Sequence, residues 1–393
     1  MEKQLAEKTP RIEVVDALRG FAVMAILLVH NLEHFIFPVY PTDQPAWLKV
    51  LNDGVFNVTF SLFAGKAYAI FALLFGFTFY IQSVNQQRKG KDFGYRFLWR
   101  LLLLAVFATL NAAFFPAGDV LLLFVVVGVV LFLVRKWSDC AVLITAILFL
   151  LQPVEWYHYI VSLYDPSHTL PDLGVGEMYG EVAVYTKEGN FGEFIWRNIT
   201  LGQKASLYWA LGAGRFWQTA GLFLMGLYIG RKQLFVISEK HTRFWVKALI
   251  VSAIAFAPLF QLKELIMASD SDIIKSTAGT AFDMWQKFAF TVVLVASFVL
   301  LYQRTGFQKL VSSLRSYGKM SLSNYIGQSI AGAVIYFPFG LYLAPYCGYT
   351  LSLIVGLVLF LLQVQFCKWW LKSHKQGPLE SIWHKWTWMG TSK

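Results

Sequence analysis

The chain has 393 residues, of which 57% are hydrophobic and only 15% are charged. Soluble domains carry about 25% charged residues, so this composition excludes a soluble globular protein and predicts a membrane protein. The formal net charge of +11 is concentrated in segments between apolar runs. It therefore does not indicate a nucleic-acid partner.

Ten apolar runs are each long enough to cross a bilayer core of about 30 Å. They centre on residues 17–37, 55–83, 97–115, 118–134, 140–163, 208–229, 244–262, 281–302, 321–343 and 348–371. With a cytoplasmic N-terminus, the inside loops and tails hold most of the 34 Lys and Arg residues, which is the positive-inside pattern. The sequence predicts an all-α polytopic membrane bundle of about ten transmembrane helices, with both termini cytoplasmic.

One integral membrane domain is expected over residues 1–393. It has a polar cytoplasmic tail at about 1–13 and a Trp-rich, amphipathic cytoplasmic tail at about 373–393 that suits the headgroup region. The run at 55–83 is long enough to contain a break, and Pro153 interrupts the run at 140–163. The external segment at about 164–207 is either a functional, lid-like loop or an amphipathic surface helix with connectors.

The first span carries ionisable residues on one face. Arg19 and His30 are eleven residues apart, which returns to within about 20° of the same helical direction. Asp16, Glu33 and His34 lie on or near this stripe. A rise of about 1.5 Å per residue places His30 roughly 16 Å deeper than Arg19. Ionisable groups are costly in hydrocarbon, so an aligned set indicates a functional site.

The chemistry of the stripe suggests two roles. Glu33 with either His30 or His34 is a pair that can act as a general base toward a hydroxyl or an amine. Arg19 suits a phosphate or pyrophosphate, which a guanidinium holds in a bidentate manner. The alternative is structural, with Arg19 paired to Asp16 at the helix start and the histidines lining an outer vestibule.

In the second run, Lys66 lies too deep to reach water easily. It is expected to face a bound anion or a partner carboxylate, for which Asp53 and Asp119 are candidates. Gly65 marks a position at which the helix can break and let the backbone line a cavity. Asp119 itself is expected to cap the next helix, or to orient a histidine if the first and fourth spans pack together, with Asn111 as a polar companion.

Near the end of the chain, polar residues recur on one face of the ninth run. They are expected to hydrogen-bond between helices or to line a cavity near the inner face. These residues are Ser321, Asn324 or Tyr325, and Gln328. Glu380, which follows the Gly377-Pro378 helix stop, is expected to meet an arginine of a loop.

Five motifs in register carry a family resemblance. They are Asp16-Ala-Leu-Arg19-Gly-Phe-Ala, Gly65-Lys66-Ala-Tyr-Ala-Ile-Phe-Ala-Leu-Leu-Phe-Gly76, Gly118-Asp119-Val-Leu, Gly318-Lys-Met-Ser-Leu-Ser-Asn324-Tyr325 and Gly377-Pro-Leu-Glu380-Ser-Ile-Trp383. Over nearly its whole length the chain resembles the YeiB-like bacterial membrane proteins, which contain domain of unknown function 418. That family in turn is similar to transmembrane acyltransferases, including the lysosomal heparan-glucosamine N-acetyltransferases and the enzymes that O-acetylate surface polysaccharides.

Arg19 and His30 match the Arg-x10-His spacing of the polysaccharide acyltransferases. The YeiB-like proteins usually have Asn at the second position, where this chain has His30 followed by Asn31. The resemblance implies an acyltransferase of the bacterial inner membrane. It would take acyl-CoA, such as acetyl-CoA, as co-substrate and no metal, and would acylate a hydroxyl or amine, on a sugar or envelope glycan, at the outer side.

Each predicted site residue has a role in this scheme. Arg19 and Asp16, with Lys66 and the inner-face residues Arg96 and Arg100, are expected at the acyl-CoA. His30 or His34 would be the base, with Glu33 beside it, and Lys66 or Asn31 would stabilise the oxyanion. The remaining cavity residues are Asp119, Asn111, Ser321, Asn324, Tyr325, Gln328 and Glu380.

Two other classes stay open at this point. A proton-coupled transporter for a small anion or metabolite would use the same intramembrane charges, and a non-catalytic membrane scaffold or sensor would need none of them. The chain contains no Walker loop and no His-Glu-x-x-His motif, which argues against an ATP-driven pump and a metalloprotease. The bilayer, acyl-CoA and an acceptor are the expected partners, with homo-oligomerisation left open.

Overall fold

A computed structural model describes residues 12–165 and 167–389, so the first eleven residues of the predicted N-terminal tail and the last four of the C-terminal tail lie outside the described part. All regular structure in the described part is helical, which confirms the predicted all-α fold class. The α-helices are α1 (Glu13–Glu33), α2 (Ala46–Phe63), α3 (Lys66–Gln87), α4 (Gly94–Phe114), α5 (Leu121–Val134), α6 (Asp139–Leu150), α7 (Pro153–Tyr164), α8 (Val175–Glu188), α9 (Phe191–Arg197), α10 (Gln203–Gly212), α11 (Arg215–Arg231), α12 (Glu239–Met267), α13 (Asp272–Ile274), α14 (Thr280–Leu301), α15 (Thr305–Leu310), α16 (Ser312–Lys319), α17 (Ser321–Tyr336), α18 (Tyr349–Trp370) and α19 (Pro378–Thr387).

Several helical segments of the described residues have the length and apolar composition of membrane spans. Five pass this test, and a sixth is added if the bent pair α6 and α7 forms one span. The five are Ala46–Gln87, Gly94–Phe114, Glu239–Met267, Asp272–Leu301 and Tyr349–Trp370. The chain is thus a helical membrane-like bundle, while the predicted total of ten spans and the predicted orientation stay predictions.

Helix α1 is the central element of this bundle. It contacts α2, α3, α14, α16, α17 and α18, and 16 of its 21 residues are buried. The ionisable stripe therefore faces protein and internal cavities and is not set into lipid. This is the environment in which ionisable groups in a membrane bundle are normally found.

Glycine allows α1 and α16 to approach closely. A Cβ atom on Gly20 would lie 2.1 Å from the backbone oxygen of Leu314, and one on Gly318 would lie 1.9 Å from that of Asp16. Small residues at a helix contact let backbones pack tightly inside a membrane bundle. This contact brings the predicted cytoplasmic half of α1 against the start of α17.

Two of the predicted runs are broken helices. The run at 55–83 divides into α2 and α3 at Ala64 and Gly65, where Gly65 has a φ of +75° that glycine adopts readily. The run at 140–163 divides into α6 and α7 ahead of Pro153, and the two halves meet at 49°. Both breaks fall where the sequence predicted a weak point.

The predicted external segment is mostly helical. Helices α8, α9 and α10 cover the end of the bundle, and the Tyr179 hydroxyl donates to the Ala117 carbonyl at 2.8 Å. Burial raises the pKa of the Tyr179 phenol well above its ordinary value, which keeps it a hydrogen-bond donor. The segment is helical, as the surface-helix interpretation predicted, and α8 and α10 also line a cavity.

The C-terminal helix α19 packs on the bundle as well as carrying tryptophans suited to an interface. Trp383 Nε1 donates to the Arg100 carbonyl at 3.2 Å, and Arg100 Nη1 donates to Thr387 Oγ1 at 3.1 Å. Trp99 Nε1 donates to the Trp386 carbonyl at 3.1 Å. The tail is therefore attached to α4 through specific hydrogen bonds.

Candidate functional site

Two cavities lie along α1, one near each end of its ionisable stripe. The outer cavity, at the His30 end, has a volume of about 490 Å³, and the inner cavity, at the Arg19 end, about 330 Å³. The polar residues of the outer cavity are His30, Glu33, His34, Tyr40, Tyr68, Asp119, Tyr179, Ser206 and Arg215. Those of the inner cavity are Arg19, Thr78, Gln82, Arg100, Lys319, Ser321, Tyr325, Gln376, Glu380 and His384.

His30 lies in the wall of the outer cavity and is 8% exposed. Its Nδ1 is 3.2 Å from Nε2 of Gln328 on α17. Its ring packs 4.4 Å from that of Phe115 and 6.0 Å from that of Tyr325, measured between centroids. The imidazole is therefore held on one nitrogen by an amide from another helix and enclosed by aromatic rings.

His34 is the histidine that pairs with Glu33. The distance from His34 Nε2 to Glu33 Oε2 is 3.6 Å, and the carboxylate is 48% exposed. Spacing alone left open which histidine had the carboxylate beside it. The ring of His34 lies 5.5 Å from that of His30, so the two imidazoles share one end of the cavity.

Asp119 joins three helices by hydrogen bonds. Its Oδ1 accepts from Leu121 N and from Asn111 Nδ2, both at 3.0 Å, and Asn111 Oδ1 accepts from Ser329 Oγ at 2.7 Å. The N-cap residue of α5 is Val120, and Asp119 satisfies the first N–H group of the helix from one position further back, so the predicted capping role holds in part. The other oxygen, Oδ2, is buried and has no hydrogen-bond partner among the described residues.

Three cations line the inner cavity. Arg19 forms the predicted pair with Asp16 at 3.4 Å, and its Nη2 donates to Thr78 Oγ1 at 2.9 Å. The Arg100 guanidinium lies 4.1 Å from the centroid of the Trp383 ring. With Lys319 these side chains give the cavity three positive charges.

Glu380 contributes a carboxylate to this cavity and forms no ion pair with an arginine among the described residues, so the expected arginine contact is not found there. It caps α17 instead, accepting hydrogen bonds from Leu322 N at 2.7 Å, Ser323 N at 3.1 Å and Ser323 Oγ at 2.5 Å. The start of a helix leaves unpaired N–H groups, which a carboxylate satisfies well. The hydrogen bonds also fix α19 at the base of the cavity.

Tyr325 lies between the two cavities. It is fully buried, lines the inner cavity and packs against His30 of the outer one. Its ring stacks on that of Phe71 at 6.4 Å, and its hydroxyl has no hydrogen-bond partner in the described part of the chain. Buried polar atoms are normally satisfied, so an unpaired hydroxyl at this position requires an explanation.

Seven predicted site residues are not among those that line the two cavities. They are Asp16, Asn31, Lys66, Arg96, Asn111, Asn324 and Gln328. Asn31 accepts from the Tyr336 hydroxyl at 3.0 Å, and Asn324 Nδ2 donates to the Tyr317 carbonyl at 2.9 Å. Both amides therefore form hydrogen bonds between helices, which is one of the two roles predicted for the polar residues of the ninth run.

Lys66 and Arg96 also have other partners than expected. Lys66 Nζ donates to the Ser61 carbonyl at 2.9 Å, so neither Asp53 nor Asp119 is its partner. Arg96 Nη1 donates to the Thr387 carbonyl at 3.0 Å and holds the C-terminal helix. Both cations thus donate to backbone carbonyl oxygens that a helix break or a helix end leaves without a partner inside the helix.

Sequence reasoning missed Arg215, Tyr68 and Trp209 in the outer cavity. The Arg215 guanidinium lies 5.2 Å from the Tyr68 ring centroid and 5.7 Å from that of Trp209. A signal was present, because an arginine inside the predicted run 208–229 is as unusual as one in the first span.

The fold and the two cavities define the chain as a multi-helix membrane protein with polar sites at both ends of its central helix. Residues 229–390 match the family model described as "Protein of unknown function (DUF418)". Over nearly full length the chain is similar to the uncharacterized proteins YxaH of Bacillus subtilis (24% identity over 96% of this chain and 94% of the relative) and YeiB of Escherichia coli (24%, over 95% of each).

An uncharacterized 39.9 kDa protein encoded in the amylase 3' region of Bacillus acidopullulyticus is 25% identical over 96% of this chain and 94% of its own length. These matches bear out the predicted resemblance to the YeiB-like proteins, and the family model covers the C-terminal part of the chain. No solved structure matches the chain.

Proposed function

We propose that the protein is a membrane-embedded acyltransferase of the bacterial inner membrane. It moves an acetyl or other acyl group from cytosolic acyl-CoA to a hydroxyl or amine of a sugar or envelope glycan at the outer side. The observation that supports this proposal most directly is the placement of Arg19 and His30. They lie on one helix, in separate cavities whose walls meet at Tyr325.

The inner cavity has the chemistry of a donor site. Arg19, Arg100 and Lys319 supply positive charge for the phosphates of acyl-CoA, and guanidinium groups bind phosphate oxygens in pairs. An extended pantetheine arm, on the order of 15–20 Å long, matches the axial offset of roughly 16 Å between Arg19 and His30. The thioester would thereby reach Tyr325 while the nucleotide stays at the inner end.

His30 is the base in this scheme. The Gln328 amide faces Nδ1, and rotating that amide by 180° presents its oxygen, which then accepts the Nδ1 proton. This tautomer leaves the lone pair of Nε2 available to the outer cavity, as general-base catalysis requires. His34, paired with Glu33, lies next to it and would help to position the acceptor.

Transfer would proceed in one addition and one elimination. His30 takes the proton of the acceptor hydroxyl, whose oxygen bonds to the thioester carbonyl carbon. The carbon–sulfur bond then breaks, and the thiolate of CoA receives the proton. The unpaired Tyr325 hydroxyl is the donor for the oxyanion. It replaces Lys66 and Asn31 in this role, because those two side chains do not line the cavities.

The transporter alternative is favoured by one observation, the single aromatic layer between two cavities. A transporter would open this layer to pass a whole molecule, whereas an acyltransferase passes only the acyl group. Purified protein in proteoliposomes separates the two, using acetyl-CoA labelled in the acetyl group on one side and glucosamine on the other.

We expect labelled N- or O-acetylglucosamine to form without uptake of CoA. His30→Gln should slow transfer by about 100-fold or more, the scale of a lost general base. His241→Gln, which changes an exposed histidine bonded to the Val236 carbonyl, is the matched control. Unchanged transfer in His30→Gln would overturn the proposal, and uptake of intact label would favour the transporter.

A further inference from the structure

Positive charge exceeds negative charge around the break between α2 and α3. Lys66, only 5% exposed, faces Lys287, Arg215 and Lys263, and the carboxylate facing it is that of Asp283. The Asp283 carboxylate already pairs with Lys287. Lys263 pairs with the neighbouring Glu264 at 2.7 Å, so within residues 12–165 and 167–389 Lys66 and Arg215 are the cations of this group that form no ion pair.

Arg215 is fixed in place without a carboxylate. Its Nη1 donates to Gln218 Oε1 at 2.7 Å, and its guanidinium lies over the rings of Tyr68 and Trp209. No ion pair of Arg215 is found within residues 12–165 and 167–389. Gln218 is 1% exposed, and its Nε2 is a buried donor that lacks a partner in that part of the chain.

Arg215 and Lys287 converge at Gly65. A Cβ atom there would lie 3.5 Å from Arg215 Nη2 and 3.0 Å from Lys287 Cδ. Gly65 and Arg215 both line the outer cavity. The two cations therefore approach each other at the rim of that cavity, over a residue that has no side chain.

Uncompensated cations inside a membrane bundle carry a desolvation cost that a counter-anion offsets. An arginine held by an amide and two aromatic rings presents its remaining N–H groups as a preorganised fork, which suits the oxygens of phosphate. A lysine beside it adds a point charge to the same group.

We propose that Arg215 and Lys287, with Lys66 as a buried third charge, form a binding site for a phosphate-bearing group at the rim of the outer cavity. The group is a phosphate ester, carried either by a sugar or by a lipid headgroup. The site does not depend on the acyltransferase proposal, because phosphate binding is measured without acyl-CoA. If both hold, the acceptor is a phosphate-bearing molecule.

Calorimetric titration of the full-length protein in detergent tests the site with three probes. Glucose 1-phosphate and dihexanoyl phosphatidic acid represent the two sources of phosphate, and glucuronate supplies a carboxylate on a sugar. We expect saturable binding of at least one phosphate probe, and Arg215→Gln and Lys287→Gln should each weaken it about tenfold or more, as loss of a charge-assisted hydrogen bond does. Which phosphate probe binds identifies the source.

Arg243→Gln, which removes a highly exposed cation from the other end of α12, is the matched control and should leave binding unchanged. Arg215→Lys keeps the charge but not the fork, so it should bind more weakly than the natural protein and more tightly than Arg215→Gln. If Arg215→Gln does not fold, the phosphate affinity of Lys287→Gln provides the test. Failure of both phosphate probes to bind, equal binding of glucuronate, or equal loss in Arg243→Gln would overturn the site. Arg19→Gln should still bind the phosphate probe, which separates this site from the donor cavity.

Discussion

Replacing Glu380 tests how the C-terminal helix closes the inner cavity. Its carboxylate accepts three hydrogen bonds, from Leu322 N, Ser323 N and Ser323 Oγ. Glu380→Ala leaves two backbone donors at the start of α17 without their acceptor. These lost bonds are the cap of α17, whose removal costs about 0.5–2 kcal/mol in an exposed helix, and an unsatisfied buried donor costs about 1–3 kcal/mol, so we expect about 1–3 kcal/mol at this buried position.

Glu380→Gln should be much milder, because its amide oxygen still accepts the backbone hydrogen bonds. Burial raises the pKa of Glu380 above its ordinary value of 4.5, although the hydrogen bonds from Ser323 and Leu322 oppose this. The native state therefore binds the proton more tightly than the unfolded chain. Its contribution to stability is fully present below pH 4.5 and declines as the pH rises through the raised value. The glutamine variant does not titrate and should lack this decline.

The assay is thermal unfolding in detergent between pH 4 and pH 8, with Glu239→Ala as the matched control. Glu239 is a highly exposed glutamate in the first turn of α12 that also forms an ion pair, with Arg243. If Glu380→Ala melts no lower than Glu239→Ala, the carboxylate does not stabilise the junction of α17 and α19. If the natural protein and Glu380→Gln show the same pH profile, the argument from the raised pKa is wrong.

Three further outcomes are expected from unfolding measurements. Gly20→Ala places a methyl group 2.1 Å from a backbone oxygen of α16, so it should lower the free energy of unfolding by about 1–3 kcal/mol. Gly54→Ala, which has no atom within 4 Å of the new methyl group, is the control and should leave the free energy of unfolding unchanged. Asn111→Ala leaves the Asp119 carboxylate without its amide donor and should lower the free energy of unfolding by about 1–3 kcal/mol. An unchanged free energy of unfolding would show that this hydrogen bond does not stabilise the fold. The hydrogen bond from the Lys232 ammonium lowers the pKa of Asp139 below its ordinary 3.8. The contribution of Asp139 to the free energy of unfolding is therefore present above pH 3.8 and declines as the pH falls below it. Asp139→Asn should lose less stability on acidification than the natural protein, and an identical acid profile would contradict this.

The stripe on α1 could be predicted because helical periodicity alone decides which residues share a face. The breaks at Gly65 and before Pro153 were also predictable, since glycine and proline act locally on the backbone. These features need no knowledge of neighbouring helices. They gave the Arg19–His30 offset and the divided second and fifth runs.

The partners of the stripe could not be predicted in the same way. Gln328 meets His30 from almost three hundred residues further along the chain, and Tyr336 meets Asn31 over a similar separation. Which way Lys66 points depends on the backbone oxygen freed by the break beside it. Such contacts follow from how helices pack, and spacing along one helix does not contain that information.

Tyr325 shows the same limit within the site. Its place on the polar face of the ninth run was predicted, but its position between two cavities follows from the packing of α17 against α1 and α3. Tyr325, and not Lys66 or Asn31, is therefore the residue placed to donate to the oxyanion, and this depends on the packing of neighbouring helices.

The central claim is that Arg19 holds the acyl donor while His30 acts only in transfer. Equilibrium binding of labelled acetyl-CoA to the full-length protein tests it most directly, with Arg19→Gln, His30→Gln and the exposed control Arg243→Gln compared at one salt concentration. Arg19→Gln should weaken binding by about tenfold or more, as loss of a phosphate-binding guanidinium does, while the other two variants bind like the natural protein. Equal binding by Arg19→Gln and the natural protein, or an equal loss in His30→Gln, would contradict the account.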